Sequence, residues 1–552
     1  MKTLFPARKF ETLEGLHRGA RVAEERSDVP GIPGQGFRLI IEPTVIHLEA
    51  ADARGLFYGR QTLAEILKAH QDEPIPCCRI EDWPDFPTRG YMLDVSRDRV
   101  PTMAHLFRLV DCLAKLRYNQ LQLYTEHTFA YAAHEIVWSG SSPITAEEIR
   151  ELDRYCRERH IELVANQNSF GHMERWLEHD AYKHLAECPE GFRHPISGEW
   201  RPQGSVLKPD RQSLDFLNGL YAELLPNFSS TKFNIGGDEP WELGWGATEA
   251  RVTVEGKHRV YADFLARICE LAVSHGAEPM CWADVLLEEP STIEQLPESI
   301  QAILWGYETE HPFEEQCAQL AALGRSFYVA PGDSTWSSYT GRYSTMVSNV
   351  RTAAQVGHCH GASGLLMTHW GDGGHPQTWP VSLPGLVWAG LCSWNSETDE
   401  KQLACTLSSV LQDKDGIYTQ TLVDAGRIDQ ILDCRVVNAS YLAKIGQLDD
   451  SKLAAFQPRP AETSIREAMQ HCGQGLKDLE GAKLARPDAD DLIDELKLML
   501  LLNFAAARRS LGEPECTSDD LIHLYQACWR KRSREGGLVD SLRKNRISLV
   551  GD

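Results

Sequence analysis

Arg89-Gly-Tyr-Met-Leu-Asp-Val-Ser-Arg97 marks the point where the pattern of the chain changes. A short apolar run over 90–95 ends on an Asp and an Arg, and an amphipathic stretch of helix length, Thr102 to Leu116, follows it. The same unit then recurs. Apolar runs at 120–124, 161–165, 232–236, 278–282, 301–306, 326–330 and 363–368 alternate with helical stretches such as His258 to His275. Another stretch opens with Thr145-Ala-Glu-Glu148, the spacing of a capping box. Eight strand–helix alternations over roughly 300 residues predict an α/β fold, a (β/α)8 TIM barrel with insertions. A doubly wound sheet is the alternative. The count favours the barrel, because an open sheet of this kind would leave edges to be covered on both sides.

On the N-terminal side, residues 1–85 read as a small α+β domain. Strands are expected over Phe37 to Glu42 and Val45 to Glu49, around the turn signal Pro43-Thr44. A helix is expected over Arg54 to Ala69, with Leu56, Leu63, Ile66 and Leu67 on one face. The barrel is assigned to residues 86–398. Over 399–552 the strands stop, and Ile428 to Ile445, Asp491 to Arg509 and Ser518 to Arg532 read as helices of a C-terminal helical region. The apolar faces of this tail could pack on the barrel or form a homodimer interface.

The 552 residues are 42 % apolar and 24 % charged, an ordinary globular composition that excludes disorder, collagen and a disulfide-dense miniprotein. The net charge of -23 is repelled by phosphate backbones and anionic lipid, so neither nucleic acid nor a membrane surface is an expected partner. The longest apolar stretch, Leu498 to Ala507, is interrupted by Asn503 and is too short for a span of about 20 residues. The N-terminus lacks the apolar run of a secretory signal. The 15 scattered cysteines contain no C-x-x-C pair and read as reduced thiols, so the expected location is cytoplasmic.

In a barrel the chemistry lies at the C-terminal ends of the strands. Here those ends read Asp94-Val-Ser-Arg97, Thr125-Glu126-His127, Asn166 to Asn168 with Gly171-His172, Gly236-Gly237-Asp238-Glu239, Trp282-Ala-Asp284, Trp305-Gly-Tyr307-Glu308, Asp333 to Trp336, and His369-Trp370-Gly-Asp372. Four of the eight carry a Trp, and most carry a carboxylate. Flat aromatic faces beside clustered carboxylates suit a sugar ring, whose C–H face is apolar and whose rim is hydroxyl. A phosphate would instead want Lys, Arg or a glycine-rich helix start. Gly371 to Gly374 has Asp372 among its glycines and no Lys after it.

The sharpest feature is Asn234-Ile-Gly-Gly-Asp238-Glu239-Pro240. An adjacent Asp–Glu pair is usually a solvated surface pair. This one follows an apolar strand, two glycines let the backbone approach a ligand, and Pro240 restricts Glu239 towards extended geometry. A metal-dependent barrel hydrolase using His172, Asp238, His369 and Asp372 is one competing reading, although no His-x-His stands at the first strand and His358-Cys-His360 lies before the eighth. A non-catalytic sugar-binding protein on the same scaffold is another.

These places together resemble glycoside hydrolase family 20, the β-N-acetylhexosaminidases. Gly236-Gly-Asp-Glu239 looks like the catalytic motif, and the stretch from Arg89 to Arg97 looks like the first barrel strand. Gly171-His172, Trp282 and Trp305 fall in the family's order, and Gly55-Leu-Phe-Tyr-Gly-Arg-Gln-Thr-Leu63 is similar to the end of the zincin-like domain that precedes the barrel. The resemblance covers about residues 36 to 395 and leaves the helical tail outside it.

The resemblance implies retaining exo-hydrolysis of terminal β-linked N-acetylglucosamine or N-acetylgalactosamine in a small glycan or glycoside. The substrate's own acetamide oxygen attacks the anomeric carbon, an exception to the two-carboxylate scheme. It makes Glu239 the general acid and Asp238 the carboxylate that orients the acetamide and stabilises the oxazolinium charge. Arg97 would bind sugar hydroxyls, the competing role being an ion pair with Asp94. His172 would support Asp238 through a further carboxylate, for which Glu126 is the choice over His127. Trp282, Trp305 and Trp370 would wall the pocket, and Asp372 would take the C4 and C6 hydroxyls. The family's Tyr-x-Asp after the seventh strand is not evident, and Trp336 or Tyr339 is expected in place of that tyrosine. Neither cofactor nor metal is implied.

Overall fold

The computed structural model describes residues 3–71, 73–514 and 519–547. Its N-terminal part is a five-stranded sheet of β1 (Lys9–His17), β2 (Ala23–Arg26), β3 (Phe37–Ile41), β4 (Ile46–Ala50) and β5 (Ile75–Asp82), in the order β1-β5-β3-β4-β2. The two expected strands are β3 and β4, and the expected helix runs from Ala53 to His70, capped by Asp52, whose side chain accepts from the Gly55 N–H. Three strands have no counterpart in the sequence reading. In β1 almost every side chain is exposed, so no burial pattern marks it. β2 is short and charged. In β5, Pro76 and Arg79 interrupt the apolar alternation.

The barrel strands are β6 (Thr88–Asp94), β7 (Gln120–Tyr124) and β8 (Glu162–Asn166), then, after a small hairpin of β9 (Phe192–Arg193) and β10 (Trp200–Arg201), β11 (Lys232–Asn234), β12 (Glu278–Trp282), β13 (Gln301–Trp305), β14 (Phe327–Ala330) and β15 (Gly364–His369). They close into a ring in which β15 pairs in parallel with β6. All eight expected barrel strands are present, and closure excludes the doubly wound sheet. Alternate residues point inward. Met92, Val164, Met280, Ile303 and Leu366 form the apolar interior, and Gln122 Oε1 accepts from both Asn166 and Asn234 at 3.1 Å. Helix Ala146–Arg157 carries the capping box at Thr145 and Glu148.

The N-terminal sheet joins the barrel through buried cations. The guanidinium of Arg89 donates to Tyr58 Oη at 2.7 Å and Gln35 Oε1 at 3.0 Å. Arg117 pairs with Asp82 at 2.7 Å and stacks over Trp394. Buried charge of this kind is tolerated because nearly every donor finds an acceptor.

The C-terminal region is helical from Lys401 onward. The helices Ala489–Ser510 and Asp519–Arg532 fall where the apolar pattern places them; Ser518, the expected start of the latter, lies outside the described residues. The single helix expected over Ile428 to Ile445 is instead two, Ile428–Leu432 and Tyr441–Gln447. The chain breaks between them at Asp433 and Asn438, both at positive φ. The periodicity on the two sides gives no sign of the break, which is held open by tertiary bonds described below. Among the described residues no disulfide is formed, and no helix is long and apolar enough to cross a membrane.

Candidate active site

The Gly236-Gly237-Asp238-Glu239 turn leaves β11 with an unusual backbone. Gly236 and Gly237 have φ of 77° and 94°, and Glu239 is itself left-handed at 47°. A Cβ at Gly236 would run into Asn168 Oδ1, and one at Gly171 would lie 2.7 Å from Asp238 O. The glycines therefore allow the turns after β8 and β11 to touch. Pro240 was expected to hold Glu239 extended; the left-handed φ corrects that expectation. The Glu239 N–H is bonded to Asp284 Oδ2 at 3.1 Å, which holds the conformation.

The two carboxylates have different surroundings. Asp238 is buried and accepts from His172 Nε2 through Oδ2 at 3.1 Å. Its Oδ1 has no partner among the described residues. Glu239 is one-third exposed and lies 3.7 Å from the same imidazole nitrogen. Burial pushes the Glu239 carboxyl above its ordinary value against the pull of His172, and Asp238 adds to the push. Burial alone would depress the His172 imidazole, but the charge and hydrogen bond of Asp238 hold it up at about 10. The site therefore favours the charged imidazole at His172, and Glu239 is the group inclined to keep a proton.

Arg97 stands across the pocket. Its guanidinium meets Asp94 at 3.0 Å, Asp372 at 3.3 Å and Glu126 at 3.4 Å, and lies over the rings of Tyr124 and Trp370. The ion pair with Asp94 and a place in the pocket wall therefore hold together. Trp282, Trp305, Trp336 and Trp370 line the same cavity as Arg97, His172, Asp238, Glu239 and Asp372. Trp282 and Trp336 are almost wholly buried, the latter edge-on to Tyr307 at 4.9 Å.

Two expectations are corrected. The polar contacts of His172 are with Asp238 and Glu239. Glu126 instead accepts from Tyr124 Oη at 3.0 Å and pairs with Arg97, and burial pushes its carboxyl up to about 7. It does not line the pocket and meets it through Arg97, which does. His127 turns away to Ser141. Of the two residues expected in place of the family's tyrosine, Trp336 lines the cavity, whereas Tyr339 packs against Gly446 in the helical region. The cavity also holds a tyrosine, Tyr307, whose oxygen accepts from Trp370 Nε1 at 2.9 Å. Tyr307 and Asp284 stand at strand ends quoted from the sequence but are not among the expected site residues; their position at a strand end is a signal, though not one that selects them over their neighbours. Asn438, which also lines the cavity, comes from the helical region and had no such signal.

The ligand set of the metal reading does not converge. His369 Nδ1 bonds Asp333 at 2.6 Å and its Nε2 meets His375 at 3.0 Å, so both ring nitrogens are committed away from Asp238. Among the described residues no three His, Cys, Asp or Glu are grouped to hold a metal ion. What converges is an acid, an adjacent carboxyl group with an unpartnered oxygen, a guanidinium–carboxylate pair and an aromatic wall. Such a set can bind a polyhydroxylated ring, protonate a leaving oxygen and fix an N–H.

Residues 86–362 match the model of the glycosyl hydrolase family 20 catalytic domain, and residues 3–83 match that of the same family's domain 2. A β-hexosaminidase of Akkermansia muciniphila is 26% identical over 281 residues, 46% of this chain and 56% of that protein. The β-hexosaminidase subunit alpha of Mus musculus is 27% identical over 40% of this chain and 42% of its own length. The chain thus spans about half the length of these curated relatives. Among solved structures, a β-N-acetylhexosaminidase aligns with a TM-score of 0.59 at 20% identity, over 74% of this chain and 93% of that one. A chitobiase of Flavobacterium johnsoniae aligns with a TM-score of 0.59 at 15% identity over 98% of both chains, so the likeness of fold extends through the helical region.

Proposed function

The chain belongs to glycosyl hydrolase family 20, and on that premise we propose that it is a β-N-acetylhexosaminidase. It releases a terminal β-linked N-acetylglucosamine or N-acetylgalactosamine from a small glycan or glycoside, with retention. The observation that carries this reading is the buried Asp238 Oδ1 without a partner. A buried acceptor left unpaired costs about 1–3 kcal/mol, which a ligand N–H would relieve. An acetamide N–H is such a donor, and binding it turns the carbonyl oxygen towards the anomeric carbon.

In the first step the acetamide oxygen attacks C1 while the bond from C1 to the leaving oxygen breaks. Glu239, whose carboxyl is held up by burial, gives its proton to that oxygen. The products are the released alcohol and an oxazolinium ion, whose positive charge faces Asp238. Holding an internal nucleophile in place replaces an encounter with water and contributes several kcal/mol. In the second step the Glu239 carboxylate takes a proton from water as the water attacks C1, and the ring opens to the free sugar with its original configuration. Trp282, Trp305 and Trp370 exclude competing water from the acetamide and present apolar faces to the ring.

Chromogenic β-N-acetylglucosaminide and β-N-acetylgalactosaminide are the test substrates, with wild type, Asp238→Asn and Glu239→Gln, each with and without chelator. Chelator-resistant turnover is expected, reduced by about 10²–10⁴-fold in Asp238→Asn and by about 10²-fold or less in Glu239→Gln, because these leaving groups need little protonation. Binding of either sugar by folded wild type without turnover would refute the hydrolase reading in favour of a lectin-like one.

A further inference from the structure

Asn438 reaches the pocket from the tip of the loop between helices Ile428–Leu432 and Tyr441–Gln447. Its backbone is left-handed at φ 53°, a conformation asparagine adopts more readily than most residues. Its N–H donates to Glu308 Oε1 at 2.9 Å. Glu308 is itself held by Arg342 at 2.6 Å and by Arg435 at 3.4 Å. On the other flank the Ser440 N–H donates to Ser337 O, and the Ser337 N–H to Asp372 O. The loop is therefore tied on one side to the turn that carries Trp305 and on the other to the turn that carries Asp372. These bonds use backbone groups and neighbouring side chains, and leave the Asn438 carboxamide exposed at the pocket.

The order of groups around the pocket locates the position it serves. On the glycosidase reading, which this inference presupposes, Asp238 faces C2 and Glu239 faces the oxygen on C1. Beyond His172, the paired Arg97 and Asp372 take C3 and C4, so that the C6 hydroxyl, which the family resemblance had also assigned to Asp372, falls to another group. From the opposite direction Trp305 is joined to Glu239 through Asp284, which accepts from the indole N–H at 3.4 Å and from the Glu239 N–H. The arc left between Asp372 and Trp305 belongs to Asn438, and the part of a pyranose that falls there is C5 with its hydroxymethyl group. We propose that the Asn438 carboxamide hydrogen-bonds the C6 hydroxyl of the bound N-acetylhexosamine, which makes the helical region part of the sugar site.

The experiment compares 4-nitrophenyl β-N-acetylglucosaminide with its 6-deoxy analogue on wild type, Asn438→Gly and Asn438→Asp. Glycine keeps the left-handed backbone and removes the carboxamide; aspartate keeps an acceptor. Wild type should lose about 3- to 10-fold in kcat/KM when the C6 hydroxyl is removed, as one neutral hydrogen bond dictates. Asn438→Gly should lose a similar factor on the parent glycoside and discriminate less than about twofold between the two. Asn438→Asp should recover part of the discrimination. A glycine variant that is slower on both glycosides but still discriminates as wild type does would mean a loosened loop and would overturn the assignment of Asn438 alone. Wild type that turns over neither glycoside would overturn the assignment together with the glycosidase reading.

Discussion

The backbone N–H of Glu239 and the carboxylate of Asp284 are 3.1 Å apart, so the turn after β12 fixes the peptide of the residue that carries the acid. The other oxygen of the same carboxylate faces the indole N–H of Trp305 at 3.4 Å. One half-buried side chain thus sets the acid and one wall of the pocket relative to each other. Burial and the charge of Asp238 push the Asp284 carboxyl up to about 7.

Asp284→Ala should destabilise the protein by about 1–2 kcal/mol, because two half-buried donors lose their acceptor, and should lower kcat as Glu239 relaxes from its left-handed conformation. Asp284→Asn keeps an acceptor and should retain most of the stability. Because the folded-state value of Asp284 is raised from the ordinary 3.8 to about 7, its favourable effect is present below pH 4 and lost as pH rises through 7. Urea midpoints should therefore show the Asn variant gaining on wild type between these limits. Parallel pH profiles for the two would refute the assignment.

Glu239→Gln removes a proton donor, and the need for one grows with the basicity of the leaving group. The variant should lose about 10²-fold or less on a nitrophenyl glycoside and considerably more on a glycoside of a simple alcohol. Equal losses on both, in steady-state assays, would assign the proton transfer elsewhere.

Tyr307→Phe removes the oxygen that accepts from Trp370 Nε1. Loss of that acceptor and of a pocket hydroxyl should cost about 1–2 kcal/mol, or about 5- to 30-fold in kcat/KM. Tyr339→Phe, outside the pocket, should leave kcat/KM unchanged. The reverse ranking would restore Tyr339 to the site.

His172→Gln tests the imidazolium–Asp238 pair. The folded-state value of His172 is raised from 6.5 to about 10, so the pair's contribution is full below pH 6.5 and is lost as pH rises through 10. Denaturation midpoints of wild type should exceed those of the variant at pH 6 and converge with them above pH 10. A gap that stays constant over this range would show that the imidazole is neutral.

Arg532→Met tests how the helical region is anchored. The Arg532 guanidinium meets the buried Glu495 carboxylate at 2.5 and 2.8 Å, and its carbonyl accepts from the Thr102 N–H beside the barrel. Removing one member of a buried pair costs about 3–5 kcal/mol. The double variant Arg532→Met, Glu495→Leu should recover much of the loss in a thermal melt, because no charge is left uncompensated.

The barrel was legible in the sequence because each strand is a short apolar run bounded by turn residues, and burial on both faces imposes that pattern locally. The same rule made the strand ends readable, and the turn Gly236 to Glu239 was legible because its backbone requires two glycines in succession. Asp238, Glu239, Arg97, His172, the four tryptophans and Asp372 could be named on these grounds and by resemblance. The partner of His172, the choice of Tyr307 over Tyr339 and the arrival of Asn438 could not. Each depends on how side chains from separate turns are directed in space, and hydrogen bonds across the barrel mouth carry no period along the chain. The break at 433–440 is the clearest case. Apolar spacing on either side predicts one helix, and the bonds of Asn438 and Arg435 to Glu308, formed only once the barrel and the tail have packed, are what hold it as two.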